Sequence, residues 1–308
     1  MKRRAFLGLL SASALAPAAS ANNTLRTVGD DISPAKALSS DEVVRFIVFG
    51  DSGKGDTAQY ELGHRMSVHQ WDQSFDTALM LGDNIYPSGD PDDLPAKFER
   101  PYADLLKRGV SFYAALGNHD VKKGREAQMN YRHFNMGGRG YYSFTKGDGL
   151  VEFFAVDSTY FTLRQQRWLE EALQASQAKW KIAFFHHPLY SSADRHGSKL
   201  ELRSDLEPIL VRHGVDAVFS GHDHVYERVK PQQGVQYFVS GVGSKPRRGD
   251  LERDSPFLAY GNDETSSFIS IEVTPERFSF KTIDIGGHVI DTGALAPRAL
   301  ARGAASSS

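Results

Sequence analysis

No cysteine occurs anywhere in the 308 residues. That excludes disulfides, thiolate metal sites, iron–sulfur clusters and cysteine nucleophiles. Any metal must be held by nitrogen and oxygen donors, which favour Zn, Mn and Fe over Cu(I). Beyond residue 21 no apolar run is long enough to span a membrane. No internal repeat is present. Neither sign of charge dominates, and a net charge of -2 gives no bulk attraction for nucleic acid or other polyanions. What remains is an ordinary globular composition, 40% hydrophobic and 24% charged. The length suits one large domain or two small ones.

The first residues read as an address. Lys2, Arg3 and Arg4 precede Ala5-Phe6-Leu7 and an alanine-rich apolar stretch to Ala18. Ala19-Ser20-Ala21 is an A-x-A-like cleavage site. Arg3-Arg4-Ala5-Phe6-Leu7 resembles a bacterial twin-arginine signal; an ordinary secretory signal is the plainer alternative. Residues 1–21 are therefore expected to be a twin-arginine-type signal peptide. The partner implied is the twin-arginine export machinery, and the location is periplasmic or secreted. Removing the peptide takes three positive charges and leaves 33 basic against 38 acidic residues, a net -5.

Residues 22–41 read as a linker, 42–295 as the folded domain and 296–308 as a flexible tail. VVRFIVF, from Val43, is the first strand. Residues 53–76 read as a loop and helix with Tyr60, Leu62 and Met66 inward. YPSGDPDDLP (86–95) is a loop. A helix with Phe98, Tyr102, Leu105 and Leu106 on one face follows it. Residues 141–158 read as a hairpin turning at Gly147-Asp148-Gly149. Residues 163–176 are expected to be helical, with Leu163, Trp168, Leu169, Ala172 and Leu173 as the apolar stripe. Residues 201–213 are likewise helical, with Leu202, Leu206, Ile209 and Leu210 inward and Gly214 as the stop. The stretch 226–292 is mostly strands. Alternating α and β followed by β alone predicts two packed sheets with helices outside.

Five apolar runs end in residues able to bind metal. FIVFGD ends at Asp51, and ALMLGD ends at Asp83 with Tyr86 three residues on. YAALGNH ends at Asn118 and His119, IAFFHH at His186 and His187, AVFSGHDH at His222 and His224. Short apolar runs of this kind read as buried parallel strands. In open α/β sheets, sites form beyond the strands' carboxyl ends. The ligands are thus expected on one rim of one sheet, a geometry suited to a two-metal hydrolase. Taken singly, each ending has a plainer reading: a turn aspartate or helix N-cap at Asp51, a half-buried aromatic at Tyr86, a turn at 117–120, satisfied structural histidines in the last two. Five such endings together are not explained that way.

These motifs resemble the calcineurin-like metallophosphoesterases. Their broad pattern runs Asp-x-His, Gly-Asp, Gly-Asn-His-Asp/Glu, His, Gly-His-x-His. The chain departs from it twice: Gly53 stands where the first His belongs, and Tyr86 adds a phenol after the second Asp. Both departures, with Gly221-His222-Asp223-His224-Val225-Tyr226-Glu227-Arg228, resemble the purple acid phosphatase branch. The resemblance spans roughly residues 44–245. It implies an α/β fold, a four-layer α/β/β/α sandwich of two mixed sheets flanked by helices. It implies a ferric ion held by Asp51, Asp83, Tyr86 and His224. Asp83 would bridge to a divalent Fe, Zn or Mn completed by Asn118, His186 and His222. His119 would act as general acid with Asp120 orienting its ring, and with Asn118 would contact substrate. His196, ten residues after His186, sits where plant-type relatives place a substrate-facing histidine. His187 is either a second substrate contact or an outward-facing bystander.

The chemistry agrees with that assignment. A free tyrosine titrates near about 10, so a phenolate at neutral pH needs a strongly Lewis-acidic ion, which ferric iron is. The centre stays cationic after Asp51, Asp83 and the phenolate are counted, which suits an anionic ester. The implied activity is acid phosphatase-like hydrolysis of small phosphate monoesters by in-line attack of a metal-activated hydroxide. A phosphodiesterase or nuclease on the same pair is the alternative, and a non-catalytic binding module is a further one. The acidic mature charge disfavours nucleic-acid binding. His64, His69, His133, His213 and His288 match no motif. Lys245, Arg247 and Arg248 read either as a solvated basic loop or as groups at the rim of the phosphate site.

Only Ser158 to Leu163 separate the strand ending at Asp157 from the next helix, where mammalian-type relatives carry a long covering loop. An open cleft follows, tolerant of bulky substrates and needing no loop cleavage for activation. Steady-state assays should accordingly give turnover of bulky aryl phosphates by the uncleaved protein, and its absence would refute the open cleft.

Overall fold

The computed structural model describes residues 43–297. The signal peptide 1–21, the linker 22–41 and residues 298–308 of the tail lie outside the described residues. In chain order the strands are β1 (Val44–Phe49), β2 (Thr77–Met80), β3 (Ser111–Ala114), β4 (Tyr142–Lys146), β5 (Val151–Ala155), β6 (Trp180–Phe184), β7 (Ala217–Ser220), β8 (Tyr226–Val229), β9 (Gln236–Ser240), β10 (Leu258–Asn262), β11 (Ser267–Val273), β12 (Phe278–Asp284) and β13 (Val289–Leu295). The helices are α1 (Thr57–Gln73), α2 (Ala103–Lys107), α3 (Arg125–Asn130), α4 (Leu163–Ala175) and α5 (Leu200–Arg212).

Two mixed sheets form. The first has six strands in the order β13-β12-β11-β1-β2-β3, with β1, β2 and β3 parallel and the other pairings antiparallel. The second has seven, in the order β10-β8-β9-β7-β6-β5-β4. There β5, β6, β7 and β9 are parallel, while β4 pairs antiparallel with β5, β8 with β9 and β10 with β8.

The period of two along each strand creates the layers. In β5 and β6, Phe153, Ile182 and Phe184 enter the large core shared by both sheets. Their neighbours Phe154, Ala183 and Phe185 enter a second core with Leu169 and Leu173 of α4 and with Leu202, Leu206, Ile209 and Leu210 of α5. A one-residue slip would exchange the two faces, so the register is tightly specified. Between the sheets, Phe46 of β1 meets Phe153 of β5 edge-on at 5.0 Å, and Phe278 of β12 meets Trp180 of β6 at 5.9 Å and Phe219 of β7 at 6.4 Å. Aromatic edges against faces add to the burial of these large rings. The result is the expected α/β/β/α sandwich.

Some local readings need correction. Tyr60 is 38% exposed and Leu163 69% exposed, so neither belongs to an inward stripe. Leu163 opens α4, where Thr162 caps the helix by accepting from the Gln165 N–H. The helix expected after residue 95 is broken. A turn of π-helix (Pro95–Glu99) is followed by the short α2, although Phe98, Tyr102 and Leu105 are buried as expected. No helix among the described residues is long and apolar enough to cross a membrane.

Candidate metal centre

The ligand-bearing endings do not share one sheet. Asp51, Asp83 and Asn118 follow β1, β2 and β3 of the first sheet, and Tyr86 and His119 lie a few residues on. His186, His222 and His224 follow β6 and β7 of the second. The site therefore forms at the seam where the carboxyl ends of two sheets meet, each sheet supplying part of it.

Three of the endings share one device. Asp51 (φ 56°), Asp83 (φ 51°) and His222 (φ 71°) occupy the left-handed region, uncommon for non-glycine residues and concentrated at functional sites. Each turns the chain sharply after its strand. Backbone bonds hold the turns: the Asp51 N–H donates to the Gly82 carbonyl at 3.0 Å, and the His222 N–H donates to Asp51 Oδ2 at 2.8 Å.

Gly53 explains why a histidine is missing. A Cβ there would lie 1.8 Å from the Asn84 carbonyl oxygen, so no side chain fits. The Tyr86 N–H donates to the Gly53 carbonyl at 2.8 Å. The chain after Asp83 thus occupies the space a residue-53 side chain would need, and the same approach carries the Tyr86 phenol inward. The two departures from the broad pattern are one structural event.

The donors converge in two groups. The Tyr86 hydroxyl lies 3.1 Å from Asp51 Oδ1 and 3.2 Å from His224 Nε2, and His224 Nε2 lies 3.5 Å from Asp51 Oδ1. His186 Nε2 lies 3.0 Å from Asn118 Oδ1, 3.1 Å from His222 Nδ1 and 3.6 Å from Asp83 Oδ1. His186 Nδ1 lies 2.9 Å from the Leu81 carbonyl, to which only an Nδ1–H can donate. In neutral His186 the lone pair is then on Nε2, facing Asn118 Oδ1, Asp83 Oδ1 and His222 Nδ1. Asp51 and His186 are fully buried and Asp83 nearly so. Burial pushes the Asp51 carboxyl well above its ordinary range, with the Asp83 charge adding, and pushes His222 well below its own. Burial also lowers His224 to about 4 and His187 to about 3. A cation among these atoms would reverse each penalty. The hard and borderline donor set therefore fits a metal pair, with Asp83 between the groups.

Two metal-competent clusters have their donor atoms within 4.8 Å of one another: Asp51, Asp83 and His186, and His186, His187 and His222. His187 is consequently no outward bystander. Its ring lies 4.6 Å from that of His222, and its Nδ1 is 3.0 Å from Ser158 Oγ. The His196 ring lies 4.5 Å from the same His222 ring and lines the cleft. That cleft encloses about 470 Å³ and is bordered by Asp83, Tyr86, Asn118, His119, His222 and His224 together with Lys54, Arg195, Lys245 and Arg247.

His119 reaches the cleft, but Asp120 does not orient it. The His119 Nδ1 lies 2.6 Å from the Pro87 carbonyl, and its Nε2 lies 3.9 Å from Asp83 Oδ2. The buried Asp120 carboxylate instead accepts from the N–H groups of Asn84 (3.1 Å), Ile85 (3.0 Å) and Gly117 (2.9 Å) and from Gln128 Nε2 (2.9 Å). It ties the Asp83 loop to the Asn118 loop. A turn-forming carboxylate looks the same in sequence whichever neighbour it serves, so only the fold reveals this. Pro87, Ser158, Lys54 and Arg195 were likewise invisible as site residues, since nothing in their spacing marks them.

Fold and site define a class: an α/β metallohydrolase with a dinuclear centre at the seam of two sheets. Comparisons with known proteins agree. Residues 44–226 match the family model of the calcineurin-like phosphoesterases. Purple acid phosphatase 17 of Arabidopsis thaliana is 30% identical over 292 residues, covering 84% of this chain and 85% of that protein. The purple acid phosphatase PPD1 from yellow lupin (Lupinus luteus) seeds superposes with a TM-score of 0.71 at 18% identity, over 82% of this chain and 54% of the other. GAP50, the anchor in the inner membrane complex of Plasmodium, superposes with a TM-score of 0.72 at 21% identity, over 83% and 89%. The chain belongs to the calcineurin-like phosphoesterases, in their purple acid phosphatase branch. It is a metallophosphoesterase hydrolase with a binuclear metal centre.

The position of Asp120 makes a separable prediction. Asp120→Asn places an amide among four donors and should lower unfolding free energy by about 3 kcal/mol in urea titration. Unchanged stability with a large loss of rate would restore the role of orienting His119.

Proposed function

We propose that this protein is an acid phosphatase-like phosphomonoesterase whose ferric ion is held by Asp51, Asp83, Tyr86 and His224. A divalent Fe, Zn or Mn would be held by Asp83, Asn118, His186 and His222. When bound, such a pair neutralises phosphoryl charge and acidifies water to supply a nucleophile. The ferric assignment rests on Tyr86. Burial, then the Asp51 and Asp83 charges, push its phenol far above the ordinary tyrosine range, so only a strongly Lewis-acidic ion yields phenolate there.

The residues of the chain divide the remaining work. The His119 N–H donates to Asp83 Oδ1 at 2.9 Å, so the loop carrying the acid is fastened to the bridging carboxylate. With its Nδ1–H on the Pro87 carbonyl, the ring presents Nε2 toward the cleft. A proton held at Nε2 is available to a leaving alkoxide. Asn118, His187 and His196 would contact the substrate. The single observation carrying the monoesterase reading is this ring, part-exposed at the mouth and joined to the ligand cluster through its own backbone.

Residues 1–21 support export by the twin-arginine route to the periplasm or beyond, which suits a protein that folds around metal first. Small phosphate esters are the expected substrates, with no nucleic-acid partner.

Turnover of p-nitrophenyl phosphate should exceed that of bis(p-nitrophenyl) phosphate, and His119→Ala should lower monoester kcat by roughly 10²–10⁴. Preference for the diester would favour a phosphodiesterase; hydrolysis of neither by metal-replete protein would favour a binding module. Independently, purified protein should show a visible charge-transfer band that Tyr86→Phe abolishes. A colourless, fully active Zn or Mn enzyme would overturn the iron assignment and leave the hydrolase standing.

A further inference from the structure

A second concavity shares no residue with the cleft over the metal centre. It encloses about 690 Å³, within the range of ligand pockets. One side is the loop before β4, with Arg139 and Tyr141. The other is the start of α4, with Leu163, Arg164, Arg167 and Trp168. Met129 of α3 completes the apolar lining.

These elements are fastened to one another. The Gly138 N–H donates to the Met129 carbonyl at 2.9 Å, and the Tyr141 and Trp168 rings meet at 4.9 Å, joining loop to helix. Arg125 of α3 pairs with the buried Asp157 at 2.5 Å and lies over the Tyr160 ring at 4.9 Å, just ahead of α4. A Cβ on Gly140 would stand 2.8 Å from this guanidinium, so the loop passes directly over the pair. The groove is therefore held open by packing and not by a ligand.

Its charge is unspent. Arg139, Arg164 and Arg167 are exposed and form no ion pair or side-chain hydrogen bond among the described residues. Arg164 stands in the first turn of α4, which carries no acid. The helix's partial positive charge disfavours a cation at that end, so local stability does not explain this arginine. Beside it Leu163 is 69% exposed. Three uncommitted guanidinium forks around an apolar strip suit carboxylates spaced by an apolar side chain.

We propose that this groove docks an acidic segment of a partner protein. Its carboxylates meet Arg139, Arg164 and Arg167, and an apolar side chain between them rests on Leu163 and Trp168. Charge complementarity sets the sign of the partner. Glu171, which also borders the groove, opposes a continuous polyanion such as nucleic acid, and Leu163 and Met129 offer aliphatic contact in place of base stacking. A bilayer surface is flat and does not follow a concavity. Because the arginines are exposed, binding must weaken with added salt. This surface lies outside the hydrolytic site and does not depend on the phosphatase reading.

The test uses fluorescence anisotropy of two labelled peptides, Glu-Glu-Leu-Phe-Glu-Glu and its counterpart with glutamine at every glutamate. They are titrated with metal-replete protein whose metal centre is occupied by inorganic phosphate. The acidic peptide is expected to bind more tightly. Arg139→Gln, Arg164→Gln and Arg167→Gln together should weaken it about tenfold, the sum of three exposed ion pairs, and Leu163→Ser should weaken both peptides. Equal affinity of the two peptides, or a change within about twofold in the triple variant, would overturn the docking site. Tighter binding of a single-stranded thymidine oligonucleotide or of phosphatidylglycerol vesicles, lost in the same triple variant, would overturn the peptide in favour of that partner. All these readouts are free of turnover, so failure to hydrolyse phosphate esters would sink the functional reading and leave this one decided by the peptides.

Discussion

The molecule is organised around buried lone pairs that face one another. His186 Nε2 meets Asn118 Oδ1, His222 Nδ1 and Asp83 Oδ1 within 3.6 Å, while its own proton is engaged by the Leu81 carbonyl. Without a cation this arrangement is unfavourable, because burial penalises charge and more acceptors crowd together here than the ring protons can serve. A cation among these atoms would offset both. The left-handed turns at Asp51, Asp83 and His222 and the bare backbone at Gly53 all serve to hold these atoms together.

Holding them requires rigidity from outside the site. The two sheets are locked by aromatic packing of Phe46 on Phe153 and of Phe278 on Trp180 and Phe219, which fixes one sheet's carboxyl ends against the other's. Two buried carboxylates then act on the loops. Asp120 gathers N–H groups from the Asp83 and Asn118 loops, and Asp250 joins the Arg195 loop to the Arg247 loop. Neither needs to touch substrate. Each converts a flexible strand exit into a fixed wall, and that fixes where the metal donors and rim cations lie.

Much of this was legible in the residues. The five strand endings, the helices α4 and α5 and the 141–158 hairpin follow from apolar period and turn chemistry, and the structure has these elements at those residues, though the endings divide between two sheets. Purely local pattern failed where elements end. Leu163 fits a helical stripe but is exposed as the first residue of α4, and the helix after Pro95 breaks although its apolar face is buried. The partners of Asp120, Lys54 and Arg195 were illegible because they depend on contacts between segments far apart in the chain.

Sequence by itself supplied the candidate donors and their chemistry: no thiolates, paired Gly-Asp turns, a phenol after the second aspartate, and histidines closing two further strands. These are properties of residue type and spacing, which a linear chain carries intact. Only the tertiary structure decided that the donors meet between two sheets, that Gly53 and Tyr86 are a single steric arrangement, and that Asp120 braces loops instead of steering His119. Those facts depend on which distant segments pack together, and packing is settled by the three-dimensional fit of whole faces that no local window of sequence contains.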